Sequence, residues 1–272
     1  MSGQVTIIKP DTGWGLDFAE LKAYRDLFYF LVWRDIKVLY AQTVLGFAWA
    51  LLNPAIQILI FTLIFGRVAR VPTDDIPYLL YSTVAIVPWT YMSNAMNNAS
   101  QSLVTGQQIL GKIYFPRVIF PLTPILAKLV DFAISMLLIV AVMLYYRWPV
   151  TTNLIYLPLF LGVMIAVPVG VGFWLSALAI RFRDVKFAMT FVVRMLMYSA
   201  PIVYSATAMP HTIRFWYSVN PIVTVVEGFR ASVLGTPMPW EYIWPGLITS
   251  VLLVVTGLMY FRRMEKIFVD VI

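Results

Sequence analysis

The chain has 272 residues, a formal net charge of +7 and a mean hydropathy of +0.82; 61% of its residues are hydrophobic and 12% are charged. Soluble domains carry about 25% charged residues, so this composition excludes a soluble enzyme or nucleic-acid-binding protein and predicts an all-α polytopic membrane protein with room for about six spans. The sequence has no cysteine, which excludes disulfides, thiolate metal sites and a cysteine nucleophile.

Residues 1–37 are predicted to form a cytoplasmic N-terminus that ends in an amphipathic helix. The first 15 residues are mixed and polar, so we expect no cleaved signal peptide. From residue 17 onwards, apolar side chains recur at helical spacing and predict a face that lies in the membrane headgroups: Leu21, Tyr24, Phe28, Leu31 and Val32. A plain anchor and a collar that touches a cytoplasmic partner are both consistent with this helix. We assign five residues to this interface helix: Arg25, Trp33, Arg34, Asp35 and Lys37.

Residues 38–272 are predicted to form one membrane domain with six transmembrane helices. Residues 38–66 contain no ionisable side chain, and a helix of that length exceeds the hydrocarbon core of about 30 Å. The predicted spans are 40–65, 76–99, 118–145, 153–179, 187–206 and 243–261. Between the last two spans, proline and glycine break an apolar stretch into pieces too short to cross, and these predict two short re-entrant helices.

The positions of the basic residues predict the orientation. Thirteen of the 20 Lys and Arg residues fall in the termini and in the second-to-third and fourth-to-fifth loops, and five fall in the other loops. Positive residues concentrate on the cytoplasmic side, so both termini are expected to be cytoplasmic.

The second-to-third loop contains a near match to a nucleotide-binding loop. Residues 106–112 read GQQILGK, but Ile113 follows where that motif needs Ser or Thr to hold Mg²⁺. The preceding segment is the polar end of a span, not a buried strand. We therefore expect a cytoplasmic connector, no cofactor bound by this chain, and any ATP hydrolysis to come from another chain.

Four motifs together resemble those of ABC-2-type permeases, the membrane subunits that export O-antigen, capsule and teichoic-acid polysaccharides. They occur in order as WRDIKVLYAQTVLGFAWALLNP at 33–54, KIYFPR at 112–117, RFRDV at 181–185 and YSVNPI at 217–222. The resemblance covers most of the chain and is more specific for the family than for the cargo.

The resemblance implies a homodimer in the bacterial inner membrane, paired with two separate ATPase subunits that bind ATP and Mg²⁺. It implies a polysaccharide cargo on a polyprenyl-pyrophosphate lipid, moved from cytoplasm to periplasm, and no catalytic residue in this chain. The loop after the second span would dock on the ATPase. Its candidate coupling residues are Gly106, Gln107, Gln108, Lys112, Tyr114 and Arg117.

Aromatic residues deep in the predicted spans are candidates for lining a glycan path, because the C–H faces of sugars lie flat on aromatic rings. Ordinary helix packing is the alternative for each of them. The candidates are Phe47, Trp49, Tyr81, Trp89, Tyr91, Tyr198 and Tyr204.

Ionisable residues within spans are functional candidates by default. Lys128 and Asp131 are three apart on one predicted helix, and we expect them to form a self-neutralising pair. Arg194 can pair with Asp131 or meet a passing pyrophosphate. Glu227 can cap a short helix or line the exit. His211 is the only histidine, so no metal site is predicted.

Three other functions remain open as alternatives. The first is an ABC-2 exporter of teichoic acid, a simpler lipid or a drug. The second is a membrane-embedded glycan transferase, which would need paired acids or a histidine base at one membrane face. The third is a secondary transporter, which would want more acidic residues in its spans.

Overall fold

The computed structural model describes residues 18–265 apart from 42, 44, 108–114, 183 and 206–209. Within these residues it is all-helical, with no strand. The helices, in chain order, are α1 Phe18–Ala23, α2 Arg25–Tyr40, α3 Ala48–Phe61 with a π-helical continuation Thr62–Val68, α4 Tyr78–Thr105, α5 Ile119–Tyr145, a 3₁₀ turn Thr152–Tyr156, α6 Leu157–Arg181, α7 Val185–Tyr198, α8 His211–Ser218, α9 Pro221–Leu234 and α10 Trp240–Glu265. We call the end of the bundle that carries α2 the proximal end, and the opposite end the distal end.

Helix α4 is the centre of the bundle. It packs against α5, α6, α7 and α9, and 17 of its 28 residues are buried. Most of these are apolar and pack against the neighbouring helices. The buried side chains include Leu80, Ile86 and Met96, each with no exposed surface. The remaining open part of α4 therefore marks where a cavity can lie.

Helices α6 and α10 cross at a glycine contact. A Cβ atom added to Gly170 would lie 2.6 Å from the carbonyl carbon of Leu253, and one added to Gly257 would lie 2.5 Å from the carbonyl oxygen of Gly170. Small residues let helix backbones approach this closely, and dispersion contacts then hold helices together in lipid. This crossing ties the last helix to the centre of the bundle.

In the part of the chain that the structure describes, four helical segments are long and apolar enough to cross a membrane, and they agree with four of the six predicted spans. They are Ala48–Val68, Ile119–Tyr145, Thr152–Arg181 and Trp240–Glu265. Helix α4 also has the length, but its second half is polar, with Ser93, Asn94, Asn97 and Asn98. Helix α7 has 14 residues and rises about 21 Å, less than the hydrocarbon core of about 30 Å. The six-span count therefore stays a prediction.

The first span begins at Ala48, eight residues later than the predicted start at 40. Helix α2 ends at Tyr40, and Gly46 adopts a left-handed backbone with φ +49° before α3 starts. Glycine enters this conformation without a Cβ clash. The Tyr40 ring stacks on Phe47 with centroids 4.0 Å apart. We call the bend at Gly46, between the end of α2 and the start of α3, the elbow. Hydropathy does not reveal it, because apolar residues continue on both sides.

The apolar stripe of the interface helix, which was predicted to lie in the headgroups, packs on protein within the subunit. Leu31 is 4% exposed and joins a proximal cluster with Leu103, Phe120, Phe173 and Phe261, against which Tyr24, Leu27 and Phe28 also pack. The open face of α2 carries a second apolar group: Tyr29, Phe30 and Trp33, which are 70%, 61% and 46% exposed. The sequence analysis described only the first of these faces, because helical spacing does not say which side a neighbouring helix covers. The position of this helix in the membrane interface stays a prediction.

Two short helices, α8 and α9, occupy the region between α7 and α10. Their predicted re-entrant placement in the membrane stays a prediction. Helix α9 has local start and stop signals: the Asn220 side chain accepts a hydrogen bond from the Ile222 amide at 3.1 Å, Pro221 is the first helical residue, and Gly235 follows the end with φ +76°. These are a capping residue, a preformed first turn and a left-handed terminator. Helix α9 is buried along nearly its whole length against α4, α6 and α10.

Candidate functional site

A cleft opens beside the elbow, between α2, α3, α4 and α5. It consists of two adjacent cavities of about 320 and 220 Å³, and Leu39 and Lys128 line both. The larger cavity is proximal, where Arg34 and Gly106 reach it, and the smaller is deeper, where Trp49 lines it. We call this space the elbow cleft. The larger cavity is at the lower end of the usual range for small-molecule sites, about 300–1,000 Å³.

One wall of the elbow cleft is a polar stripe on α4. Its members recur every three or four residues, which places them on one helical face: Thr90, Asn94, Asn98, Gln101 and Thr105. Asn94 and Asn98 are exposed on a helix that is otherwise largely buried. The polar half of α4 that lowers its hydropathy is therefore the half that faces the cleft.

The opposite wall carries the predicted intramembrane ion pair, which is confirmed. The Lys128 ammonium donates to the Asp131 carboxylate with Nζ and Oδ2 2.7 Å apart, and Lys128 is 9% exposed. The Tyr40 hydroxyl donates to the other Asp131 oxygen, which ties the end of α2 to α5. One helical turn further on, the Ser135 hydroxyl donates to the Ala50 carbonyl at 2.8 Å and ties α5 to α3. Asp131 and Ser135 thus tie α5 to the two helices on either side of the elbow.

The other two predicted intramembrane charges lie elsewhere. Arg194 is exposed on α7, and the Asp131 carboxylate is engaged by Lys128 and Tyr40 instead. Glu227 lies in the middle of α9, so it caps no helix; its carboxylate accepts from Arg230 at 3.0 Å. It also lines a small distal cavity of about 60 Å³ beside Arg214.

Arg230 is the important distal residue that the sequence analysis missed. The tally of basic residues placed Arg230 in a loop between spans, yet its side chain is 2% exposed. Its guanidinium donates to the carbonyls of Pro201, Ile202 and Tyr204, and lies 3.6 Å from the ring centroid of Tyr81. The spacing of three from Glu227 was the one available signal.

A tyrosine pair extends this distal network. The hydroxyls of Tyr204 and Tyr217 are 2.9 Å apart. Burial raises the pKa of the Tyr217 phenol, and its hydrogen bond with Tyr204 adds to the effect. The Tyr217 phenol therefore stays neutral at physiological pH, and its hydrogen bond with Tyr204 joins α8 to the segment after α7.

The seven predicted path aromatics fall into two groups. Tyr81, Trp89 and Tyr91 are each 3% exposed and belong to the subunit core. Phe47, Trp49 and Tyr198 are 53%, 44% and 66% exposed, and Tyr204 is partly exposed in the distal network. Of the exposed ones, Trp49 lines the elbow cleft. The structure therefore does not bring the seven together into one surface of a single subunit.

The candidate coupling loop is anchored at both ends. A Cβ added to Gly106 would lie 2.1 Å from the Phe120 ring, and Gln107 is exposed. The Arg117 guanidinium donates to the Glu265 carbonyl at 3.0 Å, which joins the loop to the end of α10. The other candidates in this loop, Gln108, Lys112 and Tyr114, lie outside the described residues.

Within the described residues, no group of three or more His, Cys, Asp or Glu side chains is placed to hold a metal ion. The charged residues of the elbow cleft are instead paired with each other. This arrangement suits binding of polar groups better than acid–base chemistry, which needs an acid or base whose charge is free to change.

Comparisons with known proteins agree with this description. Residues 26–234 match the family described as ABC-2 type transporter. An O-antigen export system permease protein RfbA of Klebsiella pneumoniae is 25% identical over 248 residues, covering 91% of this chain and 95% of that protein. The RfbA permease of Myxococcus xanthus is 26% identical, covering 78% and 82%. The polysialic acid transport protein KpsM of Escherichia coli is 24% identical, covering 86% and 91%.

Proposed function

Because the chain belongs to the ABC-2 type transporter family, we propose that it is the transmembrane subunit of an ATP-driven exporter that moves a lipid-linked polysaccharide of the O-antigen type from cytoplasm to periplasm. The observation that carries this proposal is the similarity to permeases named for O-antigen export along about nine-tenths of this chain. The similarity includes the interface helix, the elbow and the coupling loop, so it is not limited to generic apolar spans.

ATP hydrolysis in this proposal belongs to a separate ATPase subunit, with two copies per exporter. The ends of the coupling loop support docking of the ATPase at the proximal end. Gly106 lies against Phe120 of α5, and Arg117 is hydrogen-bonded to the end of α10. A displacement of this loop by the ATPase would therefore move α5 and α10 directly. ATP and Mg²⁺ would bind the partner, and this chain would transmit the motion.

The proposed assembly is a homodimer in the inner membrane, with six spans per subunit, α8 and α9 re-entrant, and both termini in the cytoplasm. The open side of α3 is apolar, since Ile56, Leu59 and Leu63 are 50%, 57% and 52% exposed. This supports contact of α3 with a second copy of the chain or with lipid. The proximal end supports the cytoplasmic assignment, because Arg117, Lys186 and Arg262 lie there.

A capsule-type polymer is the second candidate cargo, because the similar E. coli protein is named for polysialic acid transport. Teichoic acid, a simpler lipid or a drug would use the same fold and partner. The cargo classes differ in what accumulates when export stops, so one genetic experiment separates them.

The test is deletion of the gene in a host that makes a surface polysaccharide. We expect the polymer to disappear from the surface and its lipid-linked form to accumulate in the inner membrane, with both effects reversed by a plasmid copy. Purified chain alone should hydrolyse no ATP, whereas co-expression with the ATPase encoded beside it should give a stable complex. Normal surface polymer after deletion, in a host without a duplicate gene, would contradict the proposal.

A further inference from the structure

We propose that the elbow cleft is a carbohydrate-binding subsite that holds an uncharged, hydroxyl-bearing sugar unit of the cargo before it enters the transport path. This inference rests on the proposed function and adds to it the location of a binding site and the chemical class of its ligand. It follows from three properties of the described residues: the charge balance of the cleft, the free amides on one wall, and an aromatic ring on another.

The charges that line the cleft cancel. Arg34 donates to its neighbour Asp35, with Nη2 and Oδ1 2.8 Å apart, and Lys128 donates to Asp131 at 2.7 Å. A phosphate or an acidic sugar would have to take a cation away from its carboxylate. That exchange leaves a half-buried carboxylate without its cation, which is unfavourable for a charge held away from bulk water. The cleft therefore favours a ligand that is polar but uncharged.

The α4 wall offers donors and acceptors to such a ligand. Side-chain amides both donate and accept, which matches a hydroxyl group that does the same. Within the described residues, the amides of Asn94, Asn98 and Gln101 have no protein hydrogen-bond partner, and all three line the cleft. By contrast, the neighbouring Asn97 amide donates to the Ser93 carbonyl at 3.0 Å. The side-chain amides that face the cleft are therefore the ones available to hydrogen-bond a ligand.

An aromatic face completes the site. Trp49 lines the deeper cavity at the start of α3 and is 44% exposed. Asn53 lies one turn further along the same wall and is exposed too. A rigid ring beside amides can contact the apolar face of a sugar while its hydroxyls meet the polar groups. Paired charges, open amides and one indole ring together distinguish a sugar from a lipid tail and from a pyrophosphate.

The first experiment places a photoreactive p-benzoylphenylalanine at Asn98 in the full chain, co-expressed with its ATPase in a host that makes the polymer. The control places the same residue at Leu137, which is 58% exposed on α5 and lines neither cavity. After irradiation, we expect the protein cross-linked at position 98 to carry polymer, visible as a high-mass ladder that stains for carbohydrate. Position 137 should give none.

A second experiment compares matched leucine variants on one helix. Asn98→Leu combined with Gln101→Leu should slow appearance of new surface polymer about tenfold, as expected for losing two hydrogen bonds to the ligand. Asn97→Leu should leave the rate within about twofold, because its amide faces the helix backbone. Co-purification with the ATPase, measured for all variants, shows that each is folded and assembled.

The outcomes separate this subsite from the general function. Export that depends on the gene, with equal or absent carbohydrate cross-linking at positions 98 and 137, would overturn the subsite and leave the exporter intact. An adduct at 98 that contains lipid phosphate but no sugar would also overturn it. Export that does not depend on the gene would overturn the exporter proposal itself.

Discussion

At the scale of single residues, Arg230 joins three parts of the distal end. Its guanidinium binds three carbonyls of the segment after α7, the Glu227 carboxylate on its own helix and the face of Tyr81 on α4. Charge-assisted hydrogen bonds of this kind contribute more than neutral ones, and a buried cation needs them. Arg230 therefore holds the segment 199–205 in a fixed position relative to α4 and α9.

Replacement of Arg230 tests this role. Arg230→Gln removes the cation and leaves Glu227 half-buried without a partner, so we expect a loss of about 3 kcal/mol in stability. The measurement is thermal unfolding of the purified chain in detergent. The double variant Arg230→Gln with Glu227→Gln should recover part of the loss. Arg147→Gln, at an exposed distal position, is the control and should unfold like the parent. Equal stability of Arg230→Gln and Arg147→Gln would contradict the assignment.

The two ion pairs show what spacing can and cannot predict. Lys128 and Asp131 were predictable because both partners lie on one helix and their separation alone brings them together. The main partners of Arg230 are carbonyl groups 26 to 29 residues away in the chain. Nothing in a carbonyl's sequence position marks it as an acceptor for a distant side chain. Such a residue is found only after the helices are packed.

At the scale of helices, the crossing of α6 and α10 depends on the absence of a side chain at Gly170. Gly170→Ala would place a methyl group against the backbone of α10, which cannot move aside as a flexible side chain can. Overpacking of this kind costs about 1–3 kcal/mol. Gly162→Ala is the matched control on the same helix, because a Cβ there meets nothing within 4 Å.

We therefore expect the Gly170→Ala variant to unfold at a lower temperature than the parent in detergent. Gly162→Ala should be neutral or slightly stabilising, because alanine favours the helix by about 0.5–1 kcal/mol over glycine. The same order should appear in the yield of folded, monodisperse protein. A neutral result for both substitutions would show that the two helices can separate without cost.

Helix boundaries were predictable where chemical signals change sharply. Helix α5 matches its predicted bounds to within a residue, because Pro116 and the polar end at Arg147 enclose a mostly apolar segment. The elbow had no such signal, since Gly46 with its left-handed backbone lies within a run that has no ionisable side chain. The sequence also could not show which face of α2 is buried, because this depends on helices that are far away in sequence.

At the scale of the whole molecule, the orientation that the basic residues predict can be tested directly. The chain has no cysteine, so single cysteines can be introduced without background. Lys186→Cys lies at the proximal end and Val150→Cys at the distal end, where Val150 is 72% exposed. If the proximal end is cytoplasmic, a membrane-impermeant maleimide should label position 150 in intact cells.

Position 186 should react only after the cells are permeabilised. Reaction of both positions with a permeable maleimide is the control that each cysteine is accessible. The reverse pattern, with position 186 labelled in intact cells, would place the coupling loop outside the cell and contradict the proposed docking of an ATPase. Composition alone predicts a membrane protein. The number of spans and the partner of α3 depend also on the membrane and on neighbouring subunits.

The placement of charges within single helices has a consequence for biosynthesis. Among the described residues, three ion pairs join side chains three apart on one helix: Lys128 with Asp131, Glu227 with Arg230, and Arg262 with Glu265. Such a pair closes as soon as its own helix forms, while the ribosome is still elongating the rest of the chain. A lone Lys or Asp at mid-membrane costs about 3 kcal/mol when a helix leaves the translocon for lipid. Helix α5 therefore partitions into the bilayer with its charges already matched, and its insertion does not wait for the helices that are synthesised after it.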